Sequence, residues 1–286
     1  MHQRDYIGND QVRAFSTWLV ERLRGEPIDF SVADYRYNTL QDALTHYRWP
    51  LRIQRGLPNQ HAGLPYIHPD VPVLVAGSNL AANTQVLNII QQQLVAAYNA
   101  SPGQSDHLSG AVAAVFHWGG VYTERGNRGW LREEHARLHE ILQRAVQDHA
   151  RNEDDSGVAD LRFNSGMTKV YSLLIPDFII YDSRVAASLA WLTQRWWLGK
   201  GEMRLGDLPD VLKFGCFLAN GNMAKNRNPD SSVFPTLSNQ PRMHYKWNIR
   251  ANWLLRFALN KAGNLDSFKS LRDVEAALFQ MGYRVI

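Results

Sequence analysis

The chain has 286 residues, 45% of them hydrophobic and 11% aromatic, which is enough for a sizeable core in one large domain or two small lobes and excludes a disordered chain or a coiled coil. Lysine and arginine number 31 against 27 aspartates and glutamates, a net charge of +4 that permits a polyanionic partner without demanding one. No apolar run reaches the roughly 18 residues of a spanning helix, the opening MHQRDYIGND has no signal core, and the single Cys216 excludes an internal disulfide, a zinc finger or a four-cysteine cluster, so a cytoplasmic protein with no membrane partner is expected.

Helical periodicity dominates the chain. Residues 11–24 place Val12, Phe15, Trp18 and Leu19 on one face, and Gly25 is a natural stop. Residues 50–72 hold five prolines and are expected to run as extended or turning chain. Val71–Val75 is a candidate short strand. A helix follows over 79–99, with Leu80, Val86, Leu87, Ile90, Leu94 and Tyr98 between Asn and Gln positions. Tyr122–Gly129 has the composition of an exposed turn carrying two arginines.

Residues 131–149 repeat Leu131, Leu138, Ile141, Leu142 and Val146, and the pairs Glu133/Arg137 and Glu140/Arg144 lie four apart on a solvated face. His135 and His139 on that helix have the spacing of zinc ligands, but no third ligand is nearby, so a solvated face is preferred. Farther on, Val170, Leu173 and Leu174 form one helical face that Pro176 ends. The apolar Phe178–Ile180 then leads to Asp182, at the start of a helix burying Val185, Leu189 and Leu192. Residues 220–246 are rich in Asn, Ser, Pro and Gly and predict a long loop. His244–Arg256 is either an amphipathic core helix with a basic back or a groove lining with stacking platforms. Ser270 and Asp273 have capping-box spacing before a helix closed by Gly282, and Tyr283–Ile286 is a second candidate strand. The expected class is mainly α.

The segment Ser165-Gly166-Met167-Thr168-Lys169-Val170, followed by an apolar helix, a proline and Ile180-Tyr181-Asp182-Ser183, resembles the catalytic stretch of the helix–hairpin–helix DNA glycosylases, the 8-oxoguanine glycosylase branch above all. Phe116-His117-Trp118-Gly119-Gly120-Val121 resembles a segment of bacterial members of the same superfamily. The resemblance is good over residues 163–192 and weaker over 110–192. It implies a two-lobed helical fold with a cleft between the lobes. Residues 75–192 would form the lobe carrying the catalytic stretch, and 1–74 with 193–286 the other. It further implies Lys169 as nucleophile, Asp182 as assisting carboxylate, and a DNA-clamping hairpin at Ser165, Gly166 and Thr168. The partner would be double-stranded DNA containing a damaged or modified base, bound by a monomer in repair or in defence against modified phage DNA. Strand nicking through a Schiff base would be an accompanying step. Without a cysteine cluster the iron–sulfur members are excluded, and no cofactor or metal is expected.

The chemistry of this pair is coherent in itself. Attack of an amine on a sugar's anomeric carbon needs neutral lysine, and at an ordinary pKa of about 10.4 only about one in a few thousand is neutral at pH 7. Desolvation or a nearby cation lowers such a pKa. A carboxylate can relay protons and stabilise the oxocarbenium-like sugar as the base departs. The plainer readings are a solvated lysine and an aspartate that only caps its helix. Extrusion of a base also needs apolar or aromatic walls, for which His117, Trp118 and Trp247 are candidates. Arg125, Asn127, Arg128, Arg184, Lys246 and Arg250 are candidate backbone contacts. Because the hairpin has one glycine, Gly166, where the family has two, the alternative is a non-catalytic helical module that binds nucleic acid or a protein.

Overall fold

A computed structural model describes residues 1–49, 77–100, 105–219, 226–237 and 240–286. In chain order its main elements are α1 (Gln3–Gly8), α2 (Asp10–Leu23), β1 (Phe30–Val32), β2 (Tyr35–Tyr37), α3 (Leu40–Thr45), α4 (Leu80–Asn99) and α5 (Ser105–Trp118). There follow α6 (Gly129–Glu134), α7 (Leu138–Ala150), α8 (Met167–Leu174), α9 (Ser183–Leu198), α10 (Pro241–Ala262) and α11 (Leu271–Met281). The protein is mainly helical, as the periodicity predicts. The backbone divides into two compact units: residues 1–47, 152–164 and 179–286 form the first, and 48–151 with 165–178 the second. Both ends of the chain share the first unit. It also contains α9, which the sequence reading places with the central residues.

In the first unit α2 packs on α10, and α11 packs on α3 and α9. The helices have clear starts. Asn9 caps α2 by accepting from the Gln11 and Val12 amides at 3.0 and 3.2 Å. Ser270 and Asp273 form the capping box of α11. Each such cap satisfies amides that would otherwise lack partners and contributes about 1 kcal/mol. The core is aromatic: Phe15 meets Trp196 with ring centroids 5.1 Å apart, Phe30 meets Trp191 at 4.9 Å, and Tyr6 meets Trp253 at 5.8 Å. The strands β1 and β2 form a small antiparallel hairpin with Val32 opposite Tyr35.

In the second unit α5 is central, touching α4, α7 and α8. Residues Ala111–Phe116 are buried on every side, which is the pattern of a helix surrounded by others. Asn79 caps α4 by accepting from the Ala82 amide at 3.0 Å.

Three expectations are corrected. The helix over 131–149 is interrupted: α6 ends at Glu134, a 3₁₀ turn spans His135–Arg137, and α7 follows. The tighter turn brings residues three apart together. Arg137 therefore pairs with Glu134 at 3.2 Å rather than with Glu133, whereas Arg144 keeps its pair with Glu140. The loop expected over 220–246 is shorter, because Pro241 takes the first helical position of α10, where its missing N–H costs nothing. Tyr283–Ile286 forms no strand. The proline-rich 50–72 and the candidate strand Val71–Val75 lie outside the described residues.

Candidate catalytic residues and their surroundings

Lys169 belongs to the second unit, in the first turn of α8. Its side chain is 4% exposed, between Thr168 and Val170, which are both fully buried. Its Nζ donates to the Ser165 carbonyl at 2.8 Å. Its aliphatic stem lies on the backbone of Gly119, just past the end of α5. A Cβ at residue 119 would stand 2.5 Å from Lys169 Cδ and 2.9 Å from Cε. Glycine at 119 is therefore what gives the lysine room. A second close approach supports the start of α8: a Cβ on Gly166 would lie 2.2 Å from Asn127 Nδ2, and that amide donates to the Val121 carbonyl at 3.1 Å.

Asp182 belongs to the first unit and is the N-cap of α9. Its Oδ1 accepts from the Arg184 and Val185 amides at 2.9 and 3.2 Å. The extended stretch before it carries backbone groups that no helix or sheet pairs. Side chains of α10 and α11 do so instead. Asn252 accepts from the Ile179 amide at 2.9 Å, Asn248 donates to the Ile179 carbonyl at 3.2 Å, Glu275 accepts from the Ile180 amide at 2.7 Å, and His244 donates to the Tyr181 carbonyl at 2.7 Å. An unsatisfied buried peptide group costs about 1–3 kcal/mol. This ladder thus fixes the path of the chain into Asp182.

Two arginines accompany the carboxylate. Arg184 holds its guanidinium over Phe279 and Tyr283, 4.5 and 4.9 Å from the ring centroids. Arg227 donates to the Ser183 hydroxyl at 3.1 Å. Burial lowers the pKa of both arginines, and the Asp182 charge opposes that shift. Burial together with Glu275 pushes the Tyr47 hydroxyl far up, with Asp182 adding to the effect.

Several other candidates are structural. Trp118 is 4% exposed, stacks on Trp49 with centroids 4.6 Å apart, and donates through Nε1 to Asn83 Oδ1 at 2.9 Å. It is a core residue of the second unit rather than a wall for a base. Trp247 is buried against the backbone of Gly215. Arg250 is 8% exposed and bonded at 2.6 Å to Asp154, a carboxylate it shares with the Met1 amino group, so it is held inside the first unit. Thr168 is fully buried, and Asn127, expected in an exposed turn, is 6% exposed. Neither side chain is presented to a phosphate. Gly166 is buried beneath Asn127, while Ser165 is exposed.

The remaining candidates stay at or near the surface. Arg125 is exposed in the turn Glu124–Arg128, which is kinked at Gly126 and in which Arg128 pairs with Glu124 at 3.1 Å. Lys246 is half-buried on α10, and half-buried His117 lies in the last turn of α5 with its ring centroid 6.3 Å from that of Tyr122. His139 stacks on Tyr98, and among the described residues no group of histidine, cysteine and carboxylate side chains could hold a metal ion.

Sequence reasoning missed Gly119 as the seat of Lys169 and the polar ladder that leads to Asp182. The ladder had a signal. His244, Asn248 and Asn252 are spaced four apart, one polar line along a helix whose other inward positions, Arg250 excepted, are mostly apolar. Comparison with family models, with characterised proteins and with solved structures finds no match for this chain.

Proposed function

We propose that the chain is a DNA glycosylase of the helix–hairpin–helix type that extrudes a damaged or chemically modified base and cleaves its N-glycosidic bond. Lys169 is the nucleophile and Asp182 the assisting carboxylate. The observation that carries this reading is the burial of Lys169 at 4% exposure within the Ser165–Val170 motif. Withdrawing an ammonium from water costs stability, and lysines are almost never fully buried unless paired or used. Withdrawal from water is also the general route to a nucleophilic amine.

In the reaction the amine lone pair forms a bond to the sugar's C1′ as the bond from C1′ to the base breaks. The electron pair leaves with the base, which takes up a proton. Loss of the amine proton with opening of the sugar ring gives a Schiff base, which water hydrolyses or from which elimination nicks the strand. Asp182 offsets the positive charge that builds on the sugar and relays the protons. The reading requires both residues to reach one extruded nucleotide. The partner is double-stranded DNA bound by a monomer in the cytoplasm, in repair or in defence against modified phage DNA.

A second reading, a non-catalytic helical module that binds nucleic acid or a protein, is favoured by the burial of Thr168 and Gly166, which withdraws two clamping candidates of the hairpin from a DNA backbone. Borohydride reduction in the presence of oligonucleotides carrying modified bases separates the two. A covalent adduct that Lys169→Gln abolishes supports the enzyme; binding with neither adduct nor base release supports the module.

A further inference from the structure

The first unit carries a cavity of about 350 Å³ where α2 meets α10, lined by Arg13, Thr17, Val20, Arg24, Phe257 and Lys261 and by neither Asp182 nor its arginines. Three of these six residues are cations and none is a carboxylate. The cations sit in distinct ways. Arg24 is fixed: its Nε and Nη2 donate to the Ala262 and Lys261 carbonyls at 3.3 and 3.2 Å, at the C-terminal end of α10. A guanidinium has five N–H donors, so a free edge remains. Arg13 and Lys261 are exposed, and Lys261 lies 5.7 Å from the Phe257 ring centroid. Thr17 has already given its hydroxyl proton to the Arg13 carbonyl at 3.0 Å. Recognition of a ligand therefore falls to the three cations, with Val20 and Phe257 as an apolar floor.

We propose that this groove binds phosphoryl groups of a nucleic-acid backbone. The charge favours an anion, and the fixed edge of Arg24 suits the geometry of a phosphate. The apolar floor suits the sugar beside it, and the volume admits a phosphate–sugar unit but little more. The assignment to a duplex rests on the proposed DNA reading. It adds a backbone contact that the candidate residues named from sequence do not include.

The test is binding of a fluorescent, unmodified DNA duplex across a salt series, with Arg13→Gln/Lys261→Gln compared with the unaltered chain. Arg24 is left in place because it anchors α10. Each phosphate contact contributes about 0.9 to the slope of log affinity against log salt. The double variant should lower the slope by about 1 and weaken binding about 8-fold at 0.1 M salt, relative to 1 M. Its thermal melting should be unchanged. An unaltered chain that binds duplex, with a variant of equal slope and affinity, overturns the groove and leaves the glycosylase reading standing. An unaltered chain that binds no duplex overturns both. Inorganic phosphate or a mononucleotide protecting the groove without any duplex binding would assign it to small phosphorylated ligands and overturn the proposal as well.

Discussion

Replacing Gly119 by alanine isolates the seat of Lys169 from the stability of the fold. The added methyl would stand 2.5 and 2.9 Å from Lys169 Cδ and Cε and 3.3 Å from the Val115 carbonyl oxygen. The first two are atoms of a flexible side chain, so the lysine moves before the backbone does. Forcing a side chain about 30° off its rotamer costs about 0.5–1.5 kcal/mol, and overpacking a core position about 1–3. A stability loss of about 1 kcal/mol is therefore expected. The amine, however, is driven off its 2.8 Å bond to the Ser165 carbonyl. A displacement of about 1 Å at a reacting group costs on the order of 100-fold in rate. Gly119→Ala should thus melt within a few degrees of the unaltered chain and lose about 100-fold in single-turnover base release, with duplex affinity retained. Unchanged release at this position would refute the claim that Gly119 sets the position of Lys169, the proposed nucleophile.

The buried pair of Arg250 and Asp154 gives a pH-dependent stability. Burial opposes ionisation of Asp154, but bonds and charge from the Met1 amino group and from Arg250 outweigh it and hold the carboxyl below its usual value. Its contribution should be complete above about pH 4, the unfolded value, and be lost as pH falls through the lower folded one. Asp154→Asn should cost about 3 kcal/mol at neutral pH, measured by denaturant unfolding, with the difference narrowing under acid. Asn252→Leu removes the acceptor of the Ile179 amide and should cost about 1–3 kcal/mol; a smaller loss would show that the ladder does not hold the chain at Asp182. Trp118→Phe deletes the bond to Asn83 and should lower the melting temperature at a cost of about 1–3 kcal/mol without changing affinity for modified duplex. Selective loss of that affinity would return Trp118 to the base pocket.

How much was legible depends on whether a contact is local in sequence. The capping box at Ser270 and Asp273, the N-cap at Asp182 and the faces of α2, α4 and α9 are short-range patterns, and each is present. Tertiary pairing was less accessible. Trp118, Trp247 and Arg250 have the composition of a nucleic-acid surface, yet Trp49, Gly215 and Asp154, remote in sequence, turn them inward. Arg227 lies 44 positions from Ser183, inside a segment whose polar composition reads only as loop. Gly119 enters the sequence reading only as part of the Phe116–Val121 segment, and nothing in its neighbours says that a lysine fifty positions later rests on it. The 3₁₀ turn at His135–Arg137 was hidden because its flanking leucines keep a helical period.

The most direct measurement is peptide mapping of the borohydride-reduced complex with duplexes containing modified bases, run beside base release by Lys169→Gln, Asp182→Asn and Asp182→Ala. Asparagine caps a helix about as well as aspartate, whereas alanine costs about 1 kcal/mol, so Asp182→Asn removes charge with little effect on folding. The account predicts a sugar adduct on the peptide containing Lys169, no adduct in Lys169→Gln, and slow release by Asp182→Asn at undiminished stability. An adduct on another lysine, or release that persists unchanged in both Lys169→Gln and Asp182→Asn, would contradict it.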